Sequence, residues 1–377
     1  MPLESTQGKD RIRRQIDRII VRGANWIGDA VMTAPALERL RSSFPQARIA
    51  LLAPPAAAGI FENSPFVDEL IVYRRKEDGP SAFLETVKLL RARRFDLAAL
   101  FQNAFEAALL AWIGGAPLRI GFAEQGRGRL LTHRLYRGKE HRNRHQIYDY
   151  LEVVAECERV CLGKSFSPPA DNPLPFLKAN SEQRQAAESL LRSLGMNATA
   201  RPLVALNAGA TNSRAKCWPE DRFAAFADQL AGAFDAQLVF IGAASERDGA
   251  ARIIQQMKRA RAVNLAGKTT MAELIGALDL CDLLVSNDTG PAHISAALGL
   301  PTLTIFGPTN EFETAPMGRR AELIRAEGVE CARCMLRDCP IDHRCMTRIA
   351  PQEVFARAVR LLEEYRPAHD DAGNARS

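Results

Sequence analysis

Short apolar runs separated by amphipathic stretches of helical length set the organisation of this chain. Arg18–Arg22 (RIIVR) is a β-rich run, followed by the loop Gly23–Asp29 and an apolar-periodic helix expected from about Ala30 to Ser43. RIALLA over Arg48–Ala53 reads as the next strand, closed by a Pro-Pro break and a short helix. Leu70–Tyr73 and Leu97–Phe101 supply two more strands with a helical stretch between them. Short buried strands alternating with helices indicate parallel βαβ units.

The second half repeats the alternation more cleanly. A proline-rich break, Pro168–Pro175 (PPADNPLP), precedes a helix expected over Ser181–Leu194. Strands follow at Leu203–Asn207, Leu238–Ile241, Ala262–Leu265, Leu283–Ser286 and Thr302–Phe306. Helices are expected at Glu246–Arg259, Met271–Leu278 and Ala292–Leu298. The class is therefore α/β with doubly wound sheets, whose ligands bind beyond the carboxyl ends of the strands. At 377 residues the chain suits two cores. The expected division is a first domain over 1–172, a linker and connecting helix over 173–200, and a second domain over 201–350. A helix over 351–366 is expected to pack back on the first domain, and 367–377 to be a disordered tail.

Composition narrows the classes. With 47% hydrophobic and 25% charged residues the chain is globular rather than disordered or fibrous. No apolar stretch approaches the length of a spanning helix, and the charged N-terminus is no signal peptide, so a cytoplasmic protein is expected. A net charge of +6 fits an anionic substrate or an anionic membrane surface, and also proteins with neither. Basic residues crowd Arg119–Arg144, but no aromatic interleaving or binding motif goes with them, so nucleic acid is not the expected partner. Eight cysteines without a secretory signal point to free thiols or a metal rather than disulfides. Cys331, Cys334, Cys339 and Cys345 cluster around His343, at a spacing open to either a structural metal or a loop of plain thiols.

Three strand-to-helix turns carry the candidate chemistry. In Ser286-Asn287-Asp288-Thr289-Gly290-Pro291-Ala292-His293, Gly290 permits close approach of a phosphate and Pro291 forfeits no needed donor. Asp288 or Thr289 as a plain helix cap would equally explain the pattern. The turn Ala208–Pro219 offers small residues, the hydroxyls of Thr211 and Ser213, and Lys216, which either offsets charge on a departing diphosphate or is a solvated loop lysine. Asp29, beside Asn25, stands where a carboxylate faces a cleft and acts as general base, or simply caps its helix. Neither GxGxxG nor a Walker lysine is present, so hydride transfer and ATP hydrolysis are not supported.

Taken together, RGANWIGDAVMTAPALERLR, NAGATNSRAKCWP and SNDTGPAHISAALGLPTLTIFGPTN resemble the ADP-heptose:lipopolysaccharide heptosyltransferase family, in its order and spacing, over roughly residues 18–360. The resemblance implies a GT-B type fold of two Rossmann-like domains facing a central cleft. It implies inverting transfer of heptose from ADP-L-glycero-D-manno-heptose to the inner core of lipopolysaccharide. NWIGDAVM and CARCMLRDCPIDHRCM look most like the branch adding the second heptose. Asp29 matches the base and Lys216 the lysine at the donor diphosphate. Asp288, Thr289, Gly290 and His293 match the donor loop, Glu246 the carboxylate on the donor ribose, and Thr211 stands with them. Asn25, Arg119, Arg142 and Arg144 are expected at the acceptor. Neither a cofactor nor a catalytic metal is implied, and the lipid-anchored acceptor implies peripheral contact with the inner membrane. A relative moving another sugar or acting at another heptose position, and a nucleotide binder that has lost catalysis, are the alternatives.

Overall fold

The computed structural model describes residues 15–164, 172–196, 202–211, 213–259 and 261–365. The first part of the proline-rich break and the tail expected to be disordered lie outside the described residues.

The first domain is built on β1 (Arg18–Arg22), β2 (Arg48–Ala53), β3 (Glu69–Val72), β4 (Leu97–Leu100), β5 (Leu118–Phe122) and β6 (His133–Leu135). All pair parallel in the order β3-β2-β1-β4-β5-β6, so the topological switch lies between β1 and β4. The helices are α1 (Ile27–Met32), α2 (Ala34–Ser43), α3 (Pro55–Gly59), α4 (Arg75–Arg93), α5 (Phe105–Ile113) and α6 (Ile147–Leu162). Strands buried on both faces need apolar residues throughout, which is why Ile19, Ile20 and Val21 are all buried. α4 and α5 cover one face of the sheet, while α2 and α6 cover the other, which also meets the second domain. The Arg39 guanidinium locks α2 to α6 by two bonds to Glu158, at 2.9 and 2.6 Å.

The second domain carries α7 (Ser181–Ser193), β7 (Leu203–Asn207), α8 (Glu220–Phe234), β8 (Gln237–Phe240), α9 (Arg247–Gln256), β9 (Ala262–Asn264) and α10 (Met271–Asp279). It continues through β10 (Leu283–Asn287), α11 (Gly290–Leu298), β11 (Thr302–Phe306), α12 (Glu311–Thr314), β12 (Ala321–Arg325), α13 (Arg344–Thr347) and α14 (Pro351–Tyr365). Its parallel order, β12-β11-β10-β7-β8-β9, is the same winding as the first sheet, with the switch between β7 and β10. Two doubly wound domains are therefore present, as the hydrophobic pattern predicts.

Several elements differ from expectation. The basic stretch Arg119–Arg144 overlaps β5 and contains β6, whose arginines and histidine mask the apolar run. The expected helix from Ala30 is two helices, α1 and α2, hinged at Thr33. α7, expected as a connecting helix, packs on α10 of the second domain. The C-terminal helix does not return to the first domain. α14 buries Val354, Ala358, Leu361 and Leu362 in the core formed with α8, β10 and β11. Its apolar stripe is complementary to that exposed sheet face, so the second domain keeps it.

The two sheets meet at their carboxyl edges through α1 and α11. An added Cβ at Gly290 would stand 2.6 Å from Ile27 Cγ2, and one at Gly28 2.8 Å from His293 Cδ2. Glycine at both positions is what lets these helix starts touch.

Candidate active site

The loop leaving β10 is held by buried polar groups. Asn287 donates from Nδ2 to Ala208 O (2.7 Å) and accepts from Trp218 N (3.1 Å), stitching the loops after β7 and β10 across the switch point. Asp288 is almost fully buried, and its Oδ2 accepts from Lys216 Nζ at 2.8 Å and from Thr309 Oγ1 at 2.7 Å. Lys216 Nζ also donates to Asp288 O at 3.2 Å. A buried carboxylate sharing charge-assisted bonds fixes the ammonium in one place. Asp288 therefore positions Lys216, and Lys216 is the group left to face an anion. Thr289 is the N-cap of α11 but makes no side-chain cap bond, its hydroxyl lying 3.2 Å from Ser286 Oγ. This is not a plain capped turn.

The loop after β7 is shaped around Glu246. Its Oε1 accepts from Thr211 Oγ1 (3.1 Å) and its Oε2 from Ala243 N (2.9 Å). A Cβ on Gly209 would come within 2.3 Å of Glu246 Cδ, and one on Gly242, at φ +151, within 2.4 Å of Oε2. Two glycines thus admit a carboxylate over the carboxyl ends of β7 and β8, where doubly wound folds hold a ribose. The segment bearing the clustered cysteines grips the Lys216 loop from outside. Ala215 N donates to Arg337 O (2.9 Å) and His343 Nε2 donates to Ala215 O (2.7 Å). Among the described residues no three His, Cys, Asp or Glu side chains are arranged to hold a metal.

Across the cleft, Asp29 sits in the first turn of α1. Burial pushes its carboxyl up to about 6, with Lys216 opposing and Asp288 adding to the rise. That coupling puts the carboxylate of one domain within electrostatic reach of the Lys216–Asp288 pair of the other. His293 is buried against Gly28, and burial drives its imidazole down to about 4. A neutral ring wedged between the domains brings no charge to an anion, and its packing braces the loop.

The expected acceptor residues divide. Asn25 is exposed in the loop after β1, its Oδ1 accepting from Arg22 Nη2 at 2.8 Å. Arg142 and Arg144 line a cavity of about 310 Å³ between the domains, together with Arg137, His141, Asp149 and Glu313. Arg144 is tied to Asp149 at 2.5 Å and Glu152 at 2.8 Å, while Arg142 is exposed. Arg119 is a correction. It lies toward the amino end of β5, and its guanidinium donates to Leu130 O (2.6 Å) and Ala116 O (2.5 Å), so it locks the β5–β6 connection and does not reach the cleft. Sequence reasoning gave no role to Thr309, although it stands in the FGPTN run. It also missed Arg127, whose buried guanidinium holds Phe122 O at 2.7 Å and Asn103 Oδ1 at 2.8 Å beneath the same edge. Nothing in the charge pattern separates that buried arginine from its solvated neighbours.

The model of glycosyltransferase family 9 (heptosyltransferase) matches residues 83–344. The chain belongs to this family. A lipooligosaccharide heptosyltransferase 2 of Campylobacter jejuni is 27% identical, over 92% of this chain and 98% of its own length. The lipopolysaccharide heptosyltransferase 2 of Escherichia coli K12 is 28% identical, over 82% of this chain and 88% of its own. The solved E. coli ADP-heptose LPS heptosyltransferase II superposes with a TM-score of 0.77 at 25% identity, covering 92% of this chain and 99% of that one. Membership makes the chain a glycosyltransferase and accounts for its two facing sheets. The family match spans Lys216, Glu246 and Asp288, while Asp29 precedes it.

Proposed function

We propose that this family 9 glycosyltransferase moves heptose from ADP-heptose to the second heptose position of a lipid-anchored lipopolysaccharide inner core. The observation that carries the reading is the Lys216–Asp288–Thr309 cluster at the switch point of one domain, facing a half-buried Asp29 of raised proton affinity on the other. The names of the relatives supply the sugar and the acceptor. The donor's diphosphate lies against Lys216 and the start of α11, with its ribose on Glu246 and Thr211. The acceptor meets Asn25, Arg142 and Arg144, whose charge suits phosphates and acidic sugars.

Inverting displacement then needs few groups. Asp29 takes the proton from the acceptor hydroxyl as its oxygen bonds to the anomeric carbon. The bond from that carbon to the diphosphate oxygen breaks on the opposite face, and Lys216 stabilises the charge that ADP carries away. We place the work at the cytoplasmic face of the membrane that holds the acceptor. Among the described residues no helix is long and apolar enough to cross a membrane. The test is ADP release by the purified chain from ADP-heptose with a heptose-terminated truncated core. Turnover with that pair, and its suppression only by ADP-linked sugars, is the expected result. Faster turnover of a differently linked nucleotide sugar would reassign the donor.

A further inference from the structure

The outer layer of the first domain bears an apolar face with no cover among the described residues. On α5, Phe105, Leu109 and Trp112 fall at i, i+4 and i+7, one stripe of a helix, with Phe105 46% and Trp112 52% exposed. On α4, which packs beside α5, Leu84 is 59% exposed and shares its stripe with exposed Lys88 and Arg91. The two stripes are joined where Arg91 Nε donates to Ile113 O at 2.8 Å. Isolated exposed apolar residues need no explanation, but stripes on two packed helices make a patch. Residues 74–94 carry seven Lys or Arg against three Asp or Glu, and while Arg75 pairs with Glu106 and Arg93 with Glu69, Lys88 and Arg91 stay exposed beside Leu84. The layer reaches the active-site edge, because Lys76 in the first turn of α4 lies 5.4 Å over the ring of Trp26, three residues before Asp29.

We propose that the α4–α5 face docks this enzyme on an anionic lipid bilayer. Tryptophan, phenylalanine and leucine enter the headgroup boundary, while lysine and arginine stems reach back to lipid phosphates. Charge selects this occupant over a second copy of the chain: two basic faces repel, whereas anionic headgroups neutralise them. The proposal rests on the transfer reading only in expecting the acceptor to be lipid-borne, and its test requires no catalysis.

The full chain is sedimented with phosphatidylcholine vesicles, with and without phosphatidylglycerol. Binding is expected to need phosphatidylglycerol and to weaken with salt. Leu84→Ser with Trp112→Ser lowers it by about tenfold, and Lys88→Glu by about fivefold. An unchanged thermal midpoint certifies the fold, and Lys88→Glu on an exposed side chain stands as the test if the double variant misfolds. Failure of the wild type to bind anionic vesicles, or undiminished binding by these variants, overturns the proposal. A solution dimer that Leu84→Ser/Trp112→Ser dissolves also overturns it, assigning the face to a second copy. Vesicle binding without sugar transfer would sink the transfer reading and leave this one standing.

Discussion

Asp29 is held where its carboxyl is costly to ionise, and two consequences follow with opposite signs. As the proposed base it must be ionised, so kcat/KM is expected to fall by about tenfold per pH unit below pH ~6 and to level off above it. For stability, the folded carboxyl at about 6 lies above its ordinary 3.8, so the folded chain holds the extra proton between those values. Stability is then lost as pH rises through that window. Asp29→Asn is expected to raise the neutral-pH thermal midpoint by roughly 2–4 °C, a gain that disappears at acid pH. Thr309→Val tests the other side of the cleft. It removes one of two donors to Asp288 Oδ2, loosens Lys216 and weakens ADP affinity by about threefold to tenfold, read by titration calorimetry. Asp29, Lys216 and Asp288 were legible as residues because each sits at a strand-to-helix junction. That Asp288 serves Lys216 was not, since a side-chain pair 72 residues apart leaves no local signal.

At the scale of elements, the contact of α1 with α11 governs how the catalytic halves meet. Gly290→Ala places a methyl against Ile27 and pushes the two helix starts apart. Turnover is expected to fall by about tenfold or more and ADP affinity by a smaller factor, because the methyl separates the two domains as well as crowding the loop proposed to take the diphosphate. Equal losses in both would show that the glycine serves the nucleotide loop alone. The strands of both sheets that read as apolar runs were found from the sequence, since parallel strands are covered on both faces. β5 and β6 escaped because Arg119 and the His133–Leu135 run place polar side chains where the pattern expects apolar ones. The docking of α14 escaped for another reason. A helix's apolar stripe shows that it packs, without naming the surface it packs on.

For the whole molecule, two sheets of one winding order face each other across a cleft to which one brings Asp29, the proposed base, and the other the Lys216 cation. The α/β class was readable from alternation alone, but the pairing of the halves needed three separated motifs taken together. Asp29 is proposed to remove the acceptor proton while the second domain holds the donor independently. Single-turnover ADP release by Asp29→Asn, measured beside ADP-heptose affinity, tests it most directly. Donor affinity within about threefold of wild type and turnover lower by about 10²–10⁴ are expected. Release of ADP at the wild-type rate by Asp29→Asn would contradict it.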